Sequence, residues 1–413
     1  AQCDPATSAS QVLAALQQAW QGKSPAPATS AAANGGEPDE YAGSPIVAAA
    51  MAAKNAAGKY AASVASSYAD SPIVAAAMAA KKAAANSAAA SNTAASNATA
   101  SNATASNASH SQPSALKSGT RTIFSFVVDA EPRFAHEGYH LARSLIRHSC
   151  DQPADINVQF TREVDAHTRG LFRDLGCTLH DIERFGDGRY CNKIAQLANL
   201  HRFDFDHVVL LDTDMIAVAD IRPFLGEQAL VAKVVDIAEP PLAVLEEIAR
   251  AAGMRNLPPV GTADIEYVAT YSGHCNAGFY GIPKALAEIV DRSWRNRAQW
   301  LIEHDEPLKR TGTLHRIDQV SMWLAIVMDR IPYRTAPSNV NYYVPTDSEH
   351  RYLDASAGIA LIRYDEAKLN ALGKLEPHAR HNPFERRAIE AANEQIGEGV
   401  DSAAFRNLRV AQS

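Results

Sequence analysis

Residues 1–118 contain no arginine, no phenylalanine and only two isoleucines, Ile46 and Ile73. A segment so poor in branched and aromatic side chains buries too little apolar surface to offset the entropy of ordering its backbone, which excludes a folded core there. Cysteine is scarce as well. The five present, Cys3, Cys150, Cys177, Cys191 and Cys275, form an odd set with no C-x-x-C pair, which excludes a disulfide framework or a cysteine zinc site. They read as scattered, mostly buried thiols and favour a reducing compartment. No basic stripe occurs and the net charge is -7, so a nucleic acid backbone is excluded as the main partner. No stretch approaches the roughly 20 consecutive apolar residues of a transmembrane helix. The chain begins Ala1-Gln2 without a methionine, which leaves open a leader or anchor ahead of it.

What is present divides near Ser118. The first 118 residues are dominated by Ala, Ser and Asn; from Gly119 onward aromatic, branched and charged residues mix in ordinary proportions. One large folded domain, 119–413, behind a low-complexity segment, 1–118, is therefore expected. Within that segment Tyr41–Lys54 returns almost unchanged as Tyr68–Lys81, a period of 27. Each copy opens on Ser-Pro and continues as an Ala run, the pattern of a helix start with proline at its first position. Two small-sided helices bury little, and stable arrays usually need at least three repeats, so flickering helix or disorder is expected. Sequons at Asn97, Asn102 and Asn107 follow; they fit either a glycosylated stalk or an expanded flexible linker.

From Thr122 the apolar periodicity alternates between strand and helix. Thr122–Val128, Asp155–Phe160, Cys177–Ile182 and His207–Leu211 have strand length and character. Helical spacing occupies Phe134–His148, Val164–Leu175 and Lys193–Phe203, the last with Ile194, Leu197, Ala198 and His201 on one face. This order implies an α/β fold, a mostly parallel sheet with helices on both faces. Ligands in such sheets sit beyond the carboxyl ends of the strands.

The most apolar of these strands ends Val208-Val-Leu-Leu-Asp212-Thr213-Asp214. Residues i and i+2 of an extended chain share a face, so the two carboxylates converge. They repel and raise one another's pKa unless a cation lies between them. Hard oxygen ligands suit Mg²⁺ or Mn²⁺, ions that also take up substrate phosphates and neutralise a diphosphate leaving group. The plainer alternative is a solvated acidic turn.

Around this motif the chain resembles a family. Asn192-Lys193-Ile-Ala-Gln-Leu about twenty residues before the D-x-D, Cys275-Asn276-Ala277-Gly278-Phe279-Tyr280-Gly281-Ile282 and His315-Arg-Ile-Asp318-Gln319-Val look like blocks of GT-A (Rossmann-like) glycosyltransferases of the family 8, glycogenin-like group. They occur in family order across about residues 192–320. The resemblance implies a nucleotide-sugar donor, a UDP-sugar by preference, a hydroxyl acceptor and transfer of a hexose. It assigns the divalent ion, Mn²⁺ or Mg²⁺, to Asp212 and Asp214, with Asp212 also near the ribose. Lys193 would lie by the donor, Asn276 at the sugar-binding floor, and Gly278 where backbone approaches the ligand closely. Asp318 and Gln319 would stand beside the donor sugar and its anomeric carbon, although Asp318 also suits an N-cap for a helix Val320–Met328. The resemblance also makes Asp129, after the first strand, a nucleotide contact.

One position departs from the pattern. The family takes a third metal ligand from a late histidine, and in Ala360-Leu-Ile-Arg363-Tyr364-Asp365, with Gly373 beyond, arginine occupies that place. Arginine cannot ligate a cation, but it can bind a diphosphate oxygen bidentately. His350, His378 and His381 are the other candidates for that ligand. The resemblance leans towards retention of configuration; an inverting enzyme would need a base such as Asp318 or an acid of Glu303-His-Asp-Glu306. Two other readings stand beside this one: a degenerate binding or scaffold module, and a haloacid-dehalogenase-type phosphatase with Asp212 as nucleophile.

Overall fold

A computed structural model describes residues 119–188, 190–265, 268–344, 349–364 and 374–400, all within the second of the two units into which the chain divides, Ala108–Ser413. Segment 1–118, with its repeat, sequons and Cys3, lies outside the described residues, as do Asp365 and Gly373.

The first half alternates β1 (Thr122–Val128), α1 (Pro132–His148), β2 (Ile156–Phe160), α2 (Ala166–Asp174) and β3 (Thr178–Asp181). A 3-10 turn over Tyr190–Ala195 then leads to α3 (Gln196–Leu200) and β4 (His207–Leu211). Next come β5 (Met215–Ala217), β6 (Leu230–Ala232), α4 (Leu242–Ala251), the hairpin of β7 (Val260–Thr262) and β8 (Ala269–Tyr271), and β9 (Phe279–Pro283). Helices α5 (Lys284–Glu303), α6 (Glu306–Arg310) and α7 (Ile317–Met328) follow. The last elements are β10 (Tyr333–Thr335), β11 (Tyr342–Tyr343), β12 (Leu361–Arg363) and α8 (Pro383–Val400).

Side-chain alternation explains the layers. In β1, Ile123 enters one core while Phe124, Phe126 and Val128 enter the other; in β4, Val208 and Leu210 are divided from Val209 and Leu211 in the same way. Both faces of the sheet are thus apolar and must be covered. Leu197, Leu245, Trp294 and Trp323 from α3, α4, α5 and α7 cover the first face, and Leu141, Leu145 and Phe172 from α1 and α2 the second.

Seven strands pair in the order β10-β6-β9-β4-β1-β2-β3. β1 runs parallel to β2 and β4, β2 to β3, and β6 to β10, while β9 is antiparallel to β4 and β6. The sheet is mixed and mostly parallel. After β3 at one edge the chain returns to place β4 on the other side of β1. That reversal opens a crevice at the carboxyl ends of β1 and β4, the place where doubly wound sheets hold their ligands. A smaller sheet, β11-β12-β5, registers Arg363 opposite Met215.

Two local expectations are corrected. Lys193 lies in the 3-10 turn rather than opening a helix Lys193–Phe203, and α3 ends at Leu200. The buried face there is Ile194, Leu197 and Leu200; Ala198 and His201 are exposed, and His201 reaches Asp291 at 2.9 Å instead. Helix α7 starts at Ile317, not Val320, so Asp318 sits in its first turn and Arg316 takes the cap position. Cys177, Cys191 and Cys275 are buried and Cys150 half-buried, all four as free thiols.

Candidate functional site

The crevice is built from the strand ends. The Asp212 amide donates to the Gly278 carbonyl at 3.1 Å, extending the β4–β9 pairing to the D-x-D itself. The Tyr364 amide donates to the Asp214 carbonyl at 3.0 Å, so β12 clamps the other end. Between them the Thr213 hydroxyl donates to Glu137 on α1 at 2.8 Å. Asp212 and Asp214 both line the crevice.

Lys193 arrives from the 3-10 turn, whose successor α3 is tied to the sheet by buried polar groups. Ser125 on β1 donates to Gln196 Oε1 at 2.7 Å, and Gln159 on β2 donates to Ser125 and to the Gln196 carbonyl. The Lys193 ammonium then contacts Asp212 Oδ1 directly and Asp318 Oδ2 at 3.2 Å. Burial alone would lower its pKa, but Asp212 and Asp318 outweigh burial and raise it. Asp318 is held above the usual carboxylate range, mainly by burial, with Lys193 opposing. Its Oδ1 also accepts the Gln319 amide at 2.9 Å.

Arg363 answers Asp214. Its Nε lies 3.3 Å from Asp214 Oδ2 and its Nη1 3.4 Å from Asp236 Oδ2. Burial pushes the Asp214 carboxyl above its ordinary pKa, against Arg363, and Asp212 adds to the rise. Asp214 Oδ1 is buried without a hydrogen-bond partner.

Behind this pair lies a layer of which sequence reasoning singled out only His350. Asp236 follows β6, whose carboxyl end points the same way as that of β4, and it accepts from the fully buried Lys233 ammonium and from Asn276 Nδ2 at 2.6 Å. Lys233 also reaches Asp264 at 3.1 Å, and His350 Nδ1 meets the same Asp264 oxygen at 2.6 Å. Although burial works against it, Lys233 and the His350 hydrogen bond hold the Asp264 carboxyl well below the usual range. Asp236, Asp264 and His350 bring ligand atoms within 4.8 Å of one another, a grouping able to hold a metal ion. The Lys233 ammonium already fills that role of cation among them. The available signal for Asp236 was a charged residue soon after an apolar strand tripeptide, Leu230-Val-Ala.

A cavity of about 670 Å³ opens over the crevice and is lined by Asp129, Lys193, Asp212, Asp214, Asp318, Gln319 and Arg363, together with Asn192, Glu137 and Tyr343 among others. Asp129 accepts from Thr161 Oγ1 at 2.9 Å, Asn192 Nδ2 at 3.3 Å and Arg184 at 3.3 Å. Asn276 and Gly278 do not line it. The Asn276 amide is committed to Asp236, and its Oδ1 accepts the Gly278 amide at 2.8 Å and Asn341 Nδ2 at 3.0 Å. A Cβ on Gly278 would stand 2.9 Å from Met215 Cε, 3.0 Å from Asn276 Oδ1 and 3.1 Å from Asn341 Nδ2. Glycine is required there by side-chain packing. Of the three late histidines, His350 belongs to the Asp264 cluster, and the His381 ring accepts the His378 amide at 2.8 Å; none lines the cavity. Glu303, His304, Asp305 and Glu306 are also outside it.

Counting groups in direct contact, Asp212, Asp214, Asp236, Asp264 and Asp318 face Lys193, Lys233 and Arg363. Five carboxylates against three fixed cations leave an excess of negative charge when all are ionised. With an unpartnered buried oxygen on Asp214, the residues present fit a divalent cation.

No protein-family model matches the chain, and no curated protein sequence does either. Among solved structures the fold is similar to the galactosyltransferase LgtC in complex with donor and acceptor sugar analogues, at 16% identity and a TM-score of 0.40, covering 69% of this chain and 99% of that one. It is similar also to the bifunctional glycosyltransferase WbbM, at 13% identity and a TM-score of 0.39, covering 72% of this chain and 53% of that one. Mouse xyloside xylosyltransferase 1 gives 12% identity and a TM-score of 0.35, over 59% of this chain and 97% of that one. The similarity of this chain to these glycosyltransferases is distant and is one of fold.

Proposed function

We propose that the chain is a glycosyltransferase that moves a hexose from a nucleotide-sugar, a UDP-sugar by preference, to a hydroxyl acceptor. The observation that carries this reading is the pair of converging carboxylates, Asp212 and Asp214, at the strand reversal, with a buried oxygen of Asp214 lacking a partner. Asp212 and Asp214 would hold Mn²⁺ or Mg²⁺, which when bound supplies Lewis-acid neutralisation of a diphosphate. Asp129, at the end of β1, contacts the nucleotide. Lys193 and Arg363 are fixed cations on either side of the D-x-D, placed to stabilise charge that develops on a departing diphosphate. Asp318 and Gln319 lie on the far side of Lys193 and meet the donor sugar; Asp318 also orients Lys193. Asn276 acts through Asp236, which it holds by a 2.6 Å hydrogen bond, and Gly278 makes room for that contact. The acceptor approaches over the rim, where the Tyr190 and His315 rings stand 5.9 Å apart.

Thermal unfolding with nucleoside diphosphates, with and without Mn²⁺, tests the reading, because a ligand selective for the native state raises its stability. Stabilisation by UDP in the presence of the ion, together with Mn²⁺-dependent hydrolysis of a UDP-hexose that Asp212→Ala and Asp214→Ala abolish, is expected. Tight UDP binding without turnover would instead favour a binding module, and phosphatase activity lost in Asp212→Asn would favour the phosphatase reading.

A further inference from the structure

The cation site of this chain is only half built by its own side chains. Lys193 takes Asp212 Oδ1, and Arg363 takes Asp214 Oδ2 and Asp236 Oδ2. Asp236 is further committed to Lys233 and Asn276. Among the described carboxylates of this group, the oxygen buried without a partner is Asp214 Oδ1. Mg²⁺ demands octahedral oxygen coordination, and no two side chains satisfy it. The guanidinium adds a second obstacle. It is always charged, has no lone pair to give, and lies 3.3 Å from the very carboxylate the ion must use.

We propose that Arg363 makes cation binding conditional on the nucleotide: the protein alone holds a divalent ion weakly, and the ion and a nucleoside diphosphate bind as a coupled pair. This rests on the nucleotide-sugar reading above. A diphosphate gives the ion the oxygens that the side chains lack, and it gives Arg363 an anion to replace its share of Asp214. Each ligand therefore repairs what opposes the other, and the coupling is reciprocal. The charge of Arg363 sets the size of that coupling. A ligating, neutral side chain at the same position would convert the site into one that holds the ion before the donor arrives.

The test is manganese binding followed by electron paramagnetic resonance on the full chain, without nucleotide and with saturating UDP, for the native protein and for Arg363→His, Arg363→Gln and Arg363→Lys. For the native chain, UDP should tighten manganese on the order of tenfold or more. Without UDP, Arg363→His should bind manganese about tenfold more tightly than the native chain, Arg363→Gln by a smaller factor, and Arg363→Lys should stay weak. The proposal is overturned if folded Arg363→His and Arg363→Gln bind manganese alone as the native chain does, or if Arg363→Lys alone tightens it. It is overturned equally if the native chain holds manganese as tightly without UDP as with it. Failure of every form to bind UDP, with or without manganese, would instead reject the nucleotide-sugar reading, while the titrations without nucleotide still decide what Arg363 does to the ion.

Discussion

Replacing Lys193 by methionine keeps an unbranched four-atom stem and removes the ammonium between Asp212 and Asp318. The Asp318 carboxylate lies 3.2 Å away, and the Lys193 and Asp318 side chains are 18% and 5% exposed. Coulomb's law at that separation gives about 1 kcal/mol in bulk water and about 5 kcal/mol at an effective dielectric constant of 20. Breaking a buried pair by deleting one partner typically costs about 3–5 kcal/mol, because the other charge is left uncompensated. The residual exposure places the expected loss near the low end, about 3 kcal/mol of unfolding free energy at pH 7. Asp318→Asn alone should cost much less, since burial already penalises the ionised form. The double variant should recover most of the Lys193→Met loss, with a coupling energy of about 2 kcal/mol in a double-mutant cycle. Urea unfolding with unchanged slope for all four proteins measures this. The pH dependence has a definite sign. Without Lys193 the Asp318 pKa rises further above its unfolded value, so the deficit is full at high pH and disappears as pH falls through that raised value. A loss under about 0.5 kcal/mol for Lys193→Met, or strict additivity in the double variant, would refute the argument.

Three further outcomes follow from the same contacts. Gly278→Ala should destabilise the protein by about 1–3 kcal/mol and weaken UDP-sugar binding, because the new methyl group displaces Asn276 and with it Asp236; unfolding and titration calorimetry measure the two effects. Asp264→Asn, which breaks the pairs to Lys233 and His350, should cost about 3–5 kcal/mol at pH 7. Because the Asp264 pKa is depressed in the fold, that stabilisation is present above the unfolded carboxylate value and is lost as pH falls through the folded one; the deficit of the variant should therefore shrink in acid. His274 is fully buried and pushed down to about 3, chiefly by burial, with Arg316 adding to it. The unfolded chain thus binds a proton there that the folded chain refuses. Below pH 6.5 the native protein should lose about 1.4 kcal/mol per pH unit from this site, a slope that His274→Gln removes in urea unfolding across pH 4–7.

How much was legible in the sequence depends on the range of the signal. The four early strands and the helices between them were readable because apolar alternation and helical spacing are local, and the strand leading to Asp212 carries its own motif. Helix boundaries were less so. Apolar spacing predicts a helix opening at Lys193, which lies instead in a 3-10 turn, where a tertiary network through Ser125, Gln159 and Gln196 outweighs propensity. Asp236, Lys233 and Asp264 carried no recognisable motif, and their importance comes wholly from the partners they meet.

By itself the sequence determined the α/β order, the low-complexity character of residues 1–118 and the D-x-D at the end of its most apolar strand, because each follows from neighbours a few positions apart. Which charges confront one another was decided only by the tertiary structure. Arg363 meets Asp214 across 149 positions and Asp236 across 127, while Asn276 turns out to serve Asp236 across 40. Strand order and sheet pairing bring these groups together, and electrostatics in a half-buried crevice depends on separations of a few ångströms that no local pattern encodes.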